Sequence, residues 1–200
     1  FLFSSIGMSI GIGGASIVSR ALGKNDNNKA QLAFNNQIAL TIVLAIVAIA
    51  LGVIFKIPVL YVFGAKGAIM PLADDYFSIV LIGIPFLALS MMANNNLRAE
   101  GKAKIAMIAL LIPSVVNIFL DYIFIDLMNL GMKGAGWATT ISYLGCAGYI
   151  IFFYLAKKAE LKVKLNQFKL NIKIVGEIFK IGSVNLLRQG TISILAIVLN

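Results

Sequence analysis

The chain has 200 residues, 60% of them hydrophobic and 12% charged, with a formal charge of +9. A soluble domain is about a quarter charged, so this composition is that of an integral membrane protein, in which a basic excess reads as cytoplasmic loop charge and not as a nucleic-acid footprint. Histidine is absent, which excludes His-based nucleophile–base pairs and His-ligated metal centres, and the single cysteine, Cys146, excludes an intrachain disulfide.

Six apolar runs follow one another: 1–22, 33–55, 72–97, 105–125, 134–156 and 183–200. None shows the alternating pattern of a barrel strand, so the spacing predicts an all-α, polytopic membrane helix bundle. The chain opens inside the first run, with no basic region ahead of it, and closes inside the last. It therefore reads as a fragment and not as a chain with a signal peptide.

The connections alternate in charge. The first holds Arg20, Lys24 and Lys29 against Asp26, and the third holds Arg98, Lys102 and Lys104 against Glu100. The fifth holds Lys157, Lys158, Lys162, Lys164, Lys169, Lys173 and Lys180 against Glu160 and Glu177. The second and fourth are balanced. Basic connections stay in the cytoplasm, so the first run enters from outside and the sixth leaves toward it. Within the fifth connection, residues 171–182 place Lys173, Glu177 and Lys180 on one helical face and Ile172, Val175 and Phe179 on another. That pattern predicts an amphipathic helix lying on the inner leaflet.

Small residues mark close helix packing at Gly7, Gly11, Gly13 and Gly14, and again at Gly134, Ala135 and Gly136. Arg20-Ala21-Leu22-Gly23-Lys24 closes the first run, and Arg98-Ala99-Glu100-Gly101-Lys102 closes the third. In both, Arg20 or Arg98 complements the negative helix end and Gly23 or Gly101 supplies a left-handed cap, forming paired cytoplasmic elbows. Asp74-Asp75, the only acidic pair, sits where a helix start favours negative charge. It offers no cluster for a metalloenzyme.

The fourth run carries the chemistry. Asn117 and Asp121 are four apart and share one helix face, and Pro113 on the same stripe frees the carbonyl of Ala109. A carboxylate inside a membrane costs at least ~2.5–3.5 kcal/mol, so it normally faces protein or water and has a function. Its oxygens suit a proton or a hard cation such as sodium. Met91, Met92, Phe119, Tyr122 and Tyr143 could together line an adaptable apolar cavity.

These motifs resemble the multidrug and toxic compound extrusion (MATE) family of antiporters. Gly14-Ala15-Ser16-Ile17-Val18-Ser19-Arg20-Ala21-Leu22-Gly23-Lys24 is similar to the end of that family's second helix, and Leu97-Arg98-Ala99-Glu100-Gly101-Lys102 to the end of its fourth. Asn117-Ile118-Phe119-Leu120-Asp121-Tyr122-Ile123-Phe124-Ile125 resembles its fifth, and Gly131-Met132-Lys133-Gly134-Ala135-Gly136-Trp137-Ala138-Thr139 the start of its sixth. Ile181-Gly182-Ser183-Val184-Asn185-Leu186-Leu187-Arg188-Gln189-Gly190 is similar to its seventh, with Ser183-Val184 where a proline is common.

The resemblance implies one lobe of a two-lobe, twelve-helix fold. Residues 1–157 would be the N-terminal lobe, 158–182 the cytoplasmic inter-lobe connection, and 183–200 the start of the C-terminal lobe. It implies a non-enzymatic antiporter, coupled to protons or sodium, that exports small cationic or amphipathic compounds by alternating access. Asp121, Asn117 and Thr139 would form the ion-coupling site, and Met91, Tyr122 and Tyr143 part of the substrate cavity. A proton or sodium ion would be the only bound cofactor. The partners would be the bilayer, small-molecule substrates and the coupling cation, with no nucleic acid. The protein would be a multi-pass monomer in the plasma membrane of a prokaryote. The alternative is a lipid-linked glycan flippase of related architecture, which needs cationic residues in its central cavity. Arg188 is the one deep candidate for that role.

Overall fold

The computed structural model describes residues 2–156, 159–162 and 170–198. The helices are α1 (Leu2–Gly23), α2 (Asn27–Ile54), α3 (Lys56–Val62), α4 (Ile69–Ala99), α5 (Ala103–Asp121), α6 (Gly131–Leu155) and α7 (Ile172–Val198). A π-helix, Tyr122–Leu127, continues α5. No strand occurs among the described residues. Helices α2, α4, α5 with its π-helical continuation, and α6 are each long and apolar enough to cross a membrane. Large apolar side chains stand outward on them, Ile46 and Ile54 on α2, Ile118 and Phe119 on α5, and Phe152 on α6. A bilayer satisfies such surfaces, whereas water does not.

Helix α4 is central and packs on α1, α2, α5 and α6, while α7 packs on α1 and α2. Lipid tails are as apolar as leucine, so small residues and hydrogen bonds, not hydrophobicity, choose these seams. A Cβ on Gly136 would press on Ile79 at 3.0 Å, and one on Gly83 would meet Thr140 Oγ1 at 3.1 Å. Thr140 Oγ1 donates to the Ile79 carbonyl at 3.0 Å, locking α6 to α4. On α2 the buried Gln37 donates through Nε2 to the carbonyls of Ile10 (2.8 Å) and Gly11 (3.1 Å) on α1. Gly14 leaves the space that the Gln37 side chain fills. Asn94 Nδ2 on α4 donates to the Ala106 carbonyl on α5 at 2.6 Å.

The three basic connections meet at one end of the bundle. Gln31 Nε2 donates to the Lys162 carbonyl at 2.6 Å, and the Lys162 amide donates back to Gln31 Oε1 at 2.9 Å. The Asn171 amide donates to Asn36 Oδ1 at 2.7 Å. Glu100 is buried there, accepting from Tyr154 Oη at 3.2 Å and from the Glu160 amide at 2.8 Å. At the opposite end Lys56 pairs with Asp74 at 2.7 Å and Lys133 with Asp75 at 3.6 Å. With Cys146→Ser as background, which keeps a donor at that site, single cysteines at Lys66 and Met128 should label from outside intact cells. One at Asn27 should label only after permeabilisation. Labelling of Asn27 in intact cells would reverse the orientation.

The structure corrects three sequence expectations. Residues 171–182 do not form a separate surface helix: α7 runs unbroken from Ile172 to Val198, so the boundary drawn between residues 182 and 183 falls inside it. Among the side chains described, its buried stripe is Ile174, Ile178 and Gly182, on a helix that packs on α1 and α2, whereas Ile172 is 86% exposed. Secondly, the two elbows differ. Gly101 is left-handed (φ 74°) as expected, with the Lys102 amide closing on the Leu97 carbonyl at 2.8 Å. At the first elbow α1 continues through Gly23, and Asn25 (φ 59°) takes the left-handed turn. Asn tolerates that region through its short polar side chain. Thirdly, Asp74 and Asp75 lie beyond the first turn of α4, which begins at Ile69. Their partners are lysines and not helix-end amides.

Glu100 makes the docking of residues 159–162 sensitive to pH. Burial pushes its carboxyl above the ordinary glutamate range, opposed by the Glu160 amide and the Tyr154 hydroxyl. The folded state then holds the proton more tightly than the unfolded chain. Its contribution is full below the unfolded pKa and is lost as pH rises through the folded one. Proteolytic nicking near residues 157–162 should therefore rise with pH in wild type and lose that dependence in Glu100→Gln. Glu100→Ala strands the buried Tyr154 hydroxyl, at about 1–3 kcal/mol, and releases the Glu160 amide, and should speed nicking roughly tenfold. A flat wild-type profile would remove Glu100 from this role.

Candidate ion-coupling site

Asp121 is the last residue of α5, at the junction with the π-helix Tyr122–Leu127. In the π stretch the Met128 amide reaches the Ile123 carbonyl at 2.9 Å, and the Leu130 amide then reaches the Phe124 carbonyl at 2.9 Å. A π segment is uncommon and recurs at functional positions because it re-aims the side chains that flank it. Gly134 on α6 lets the Phe124 carbonyl approach, since a Cβ there would sit 2.9 Å from that oxygen. Asp121 Oδ1 is buried and has no hydrogen-bond partner among the described residues. An unpaired buried carboxylate oxygen is costly, so it is the kind of group that a proton or cation completes.

Asn117 lies one turn earlier on the same partly covered stripe of α5. Thr139 is partly buried on α6 and donates through Oγ1 to the Ala135 carbonyl of its own helix at 2.9 Å, leaving its lone pairs for an acceptor role. No hydrogen bond among the described residues joins Asp121 to Asn117 or Thr139. The donor set of carboxylate, amide carbonyl and hydroxyl oxygens fits a proton or a hard monovalent cation, with Asp121 the only charged member.

The carbonyl freed by Pro113 is not available to this set. Cys146 Sγ on α6 donates to the Ala109 carbonyl at 3.0 Å, so the thiol occupies the acceptor that the proline releases. The missing helix hydrogen bond becomes an α5–α6 joint. The expected cavity residues also separate. Tyr122 is 58% exposed, while Met91 and Tyr143 are partly buried and Tyr143 packs over Gly83. Met92 is a core residue whose sulfur accepts from Asn96 Nδ2 at 3.3 Å. An apolar cavity of about 230 Å³ between α2, α4 and α6 is lined by Met92, Phe34, Ser90 and Tyr154, and not by the three expected residues. The side chain of Arg188 lies outside the described residues.

Sequence reasoning missed the polar belt across α1, α2 and α4. Asn35, Asn36 and Gln37 interrupt one apolar run, and Asn94, Asn95 and Asn96 another. Such triplets inside a span must face protein, which was the available signal. Gln37 Oε1, Thr41 Oγ1 and Asn96 Oδ1 are buried with no hydrogen-bond partner among the described residues.

Comparison with known proteins agrees with this architecture. The family model described as MatE matches residues 1–123, which is α1 through the Asp121 junction. The chain is 29% identical over 181 residues to the multidrug export protein MepA of Staphylococcus aureus (strain MRSA252), covering 90% of this chain and 40% of that one. It is 28% identical over 195 residues to MepA of Staphylococcus saprophyticus, covering 98% of this chain and 43% of that one. A crystal structure of MATE in the bent conformation superposes with a TM-score of 0.92 at 27% identity, covering 98% of this chain and 44% of that one. The chain thus spans less than half the length of the relatives it matches. With more than half of its residues inside the family match and its helices in the order of a solved member, the chain belongs to the MATE family.

Proposed function

We propose that this chain is the N-terminal lobe, with the connection and first helix leading to a second lobe, of an ion-coupled multidrug antiporter. It would sit in the plasma membrane of a prokaryote and act as a transporter rather than an enzyme. The observation that carries the coupling reading is the buried, unpartnered Asp121 Oδ1 at an α-to-π junction inside a span. Relatives named as multidrug export proteins support the export of small compounds. In this reading a proton or sodium ion from outside neutralises Asp121, with Asn117 and Thr139 as neutral oxygen donors. Neutralisation changes the relative stability of the outward- and inward-facing states, because a ligand shifts such an equilibrium only by its differential affinity. Alternating access then needs the opposing lobe to rock against this one. The test is efflux of a cationic dye by the full-length protein in proteoliposomes, driven separately by a pH gradient and a sodium gradient. Efflux under one gradient supports the reading. No efflux under either, with protein correctly inserted, would overturn it.

A further inference from the structure

A cavity of about 810 Å³ opens beside the α1–α7 seam at the basic end of the bundle. Each helix lines it with one stripe. Helix α1 supplies Ile17, Arg20, Ala21 and Lys24, and α7 supplies Glu177, Lys180, Ile181 and Val184. Both stripes have the same polarity: apolar toward the membrane interior, charged toward the aqueous end. Asp26 and Lys29 from the start of α2 complete the charged rim.

The acids of this rim are already engaged. Asp26 caps α2 by accepting from the Lys29 amide at 3.0 Å, and Glu177 pairs with the Lys29 ammonium at 3.7 Å. Arg20 spends only Nε, on the Ser16 carbonyl at 3.1 Å, so its terminal nitrogens remain. No carboxylate among the described residues pairs with Arg20, Lys24 or Lys180. Three cations thus surround the mouth of a cavity whose inner wall is apolar. The net positive lining would repel the cationic compounds proposed above as cargo, so it does not suit the transport path.

We infer that this cavity binds the phosphate of an anionic phospholipid, with Arg20, Lys24 and Lys180 holding the headgroup and Ile17, Ile181 and Val184 lying along its acyl chain. Basic pockets at the cytoplasmic ends of membrane helices attract anionic headgroups. A free phosphate would use the cations equally but gain nothing from the apolar wall. The inference rests on the membrane setting and not on ion coupling at Asp121.

The test is native mass spectrometry of the full-length protein in detergent, titrated with phosphatidylglycerol, phosphatidylcholine or glycerol 1-phosphate. Wild type should retain phosphatidylglycerol about tenfold better than phosphatidylcholine, in line with the attraction expected of several basic residues near a headgroup. R20Q/K24Q/K180Q should bring that ratio close to one. K102Q/K104Q/K173Q removes equal charge outside the cavity and should preserve it. If the triple variant fails to fold, K24Q/K180Q should still lower the ratio about threefold. An unchanged ratio in the cavity variants, or an equal loss in the control, would overturn the inference. So would glycerol 1-phosphate competing as well as phosphatidylglycerol, which would mark a soluble-anion site.

Discussion

Asp121→Asn should abolish ion-driven efflux by the full-length protein while leaving its insertion and abundance near wild type. The substitution keeps size and removes the charge change. In the folded chain Asp121 Oδ1 is buried with no hydrogen-bond partner among the described residues, so an amide in its place gives up no hydrogen bond from that oxygen. A structural role would therefore predict equal stability with transport intact. A coupling role predicts the same stability with transport lost, because a group that cannot change charge cannot favour one facing state over the other. Asn117→Ala removes a neutral donor and should lower the coupled rate less. Thr139→Val should do likewise, and its lost hydrogen bond to the Ala135 carbonyl lies within one helix turn. Asp121→Glu keeps a carboxylate and should retain part of the activity. The measurement is gradient-driven efflux at matched protein levels in proteoliposomes. If Asp121→Asn exports at the wild-type rate with unchanged ion dependence, the carboxylate is structural and the coupling site lies elsewhere.

The long helices α2, α4, α5 and α6 were legible because each is long and apolar enough to cross a bilayer. The run at 105–125 became α5 and its π-helical continuation, and that at 134–156 became α6. Polar helix ends were not legible in the same way. Helix α2 starts at Asn27, six residues before its apolar run, because Asp26 caps a polar first turn. The short α3, Lys56–Val62, was hidden in a connection whose length does not distinguish loop from helix. Asp121 stood out because a lone carboxylate in a span is conspicuous. Its π junction did not, since π geometry leaves no residue signature. The carbonyl released by Pro113 was readable from the proline alone, but its capture by Cys146 depends on how α6 is rotated against α5. The face of α7 that packs on protein, Ile174 and Ile178, was not legible for a related reason: hydrophobicity cannot tell a helix face covered by lipid from one covered by α1.

That covering leaves the α1–α7 seam little room for added atoms. A Cβ at Gly13 would fall on the Ile178 carbonyl oxygen, and one at Gly182 would sit 2.6 Å from the Ser9 carbonyl oxygen. Both obstacles are backbone, so no rotamer change relieves them, and the helices would have to move apart along the whole crossing. In a bilayer that separation is not resisted by hydrophobicity but forfeits the van der Waals contact that holds the seam. Gly13→Ala and Gly182→Ala should each cost about 1–3 kcal/mol, as overpacking does elsewhere. Because they open the same seam, the double variant should cost less than the sum. Gly14→Ala tests a different obstacle. There a Cβ meets the Gln37 side chain, which can withdraw only by giving up its bonds to the Ile10 and Gly11 carbonyls. Gly176 on α7 and Gly148 on α6 have nothing within 4 Å of an added Cβ and serve as controls. Alanine at either should be neutral or stabilise by roughly 0.5–1 kcal/mol, since glycine is the poorer residue in a helix interior. Thermal unfolding of the full-length protein in one detergent, compared across these variants, reads the difference. Gly13→Ala and Gly182→Ala as benign as Gly176→Ala would show that α7 does not pack on α1 in this way.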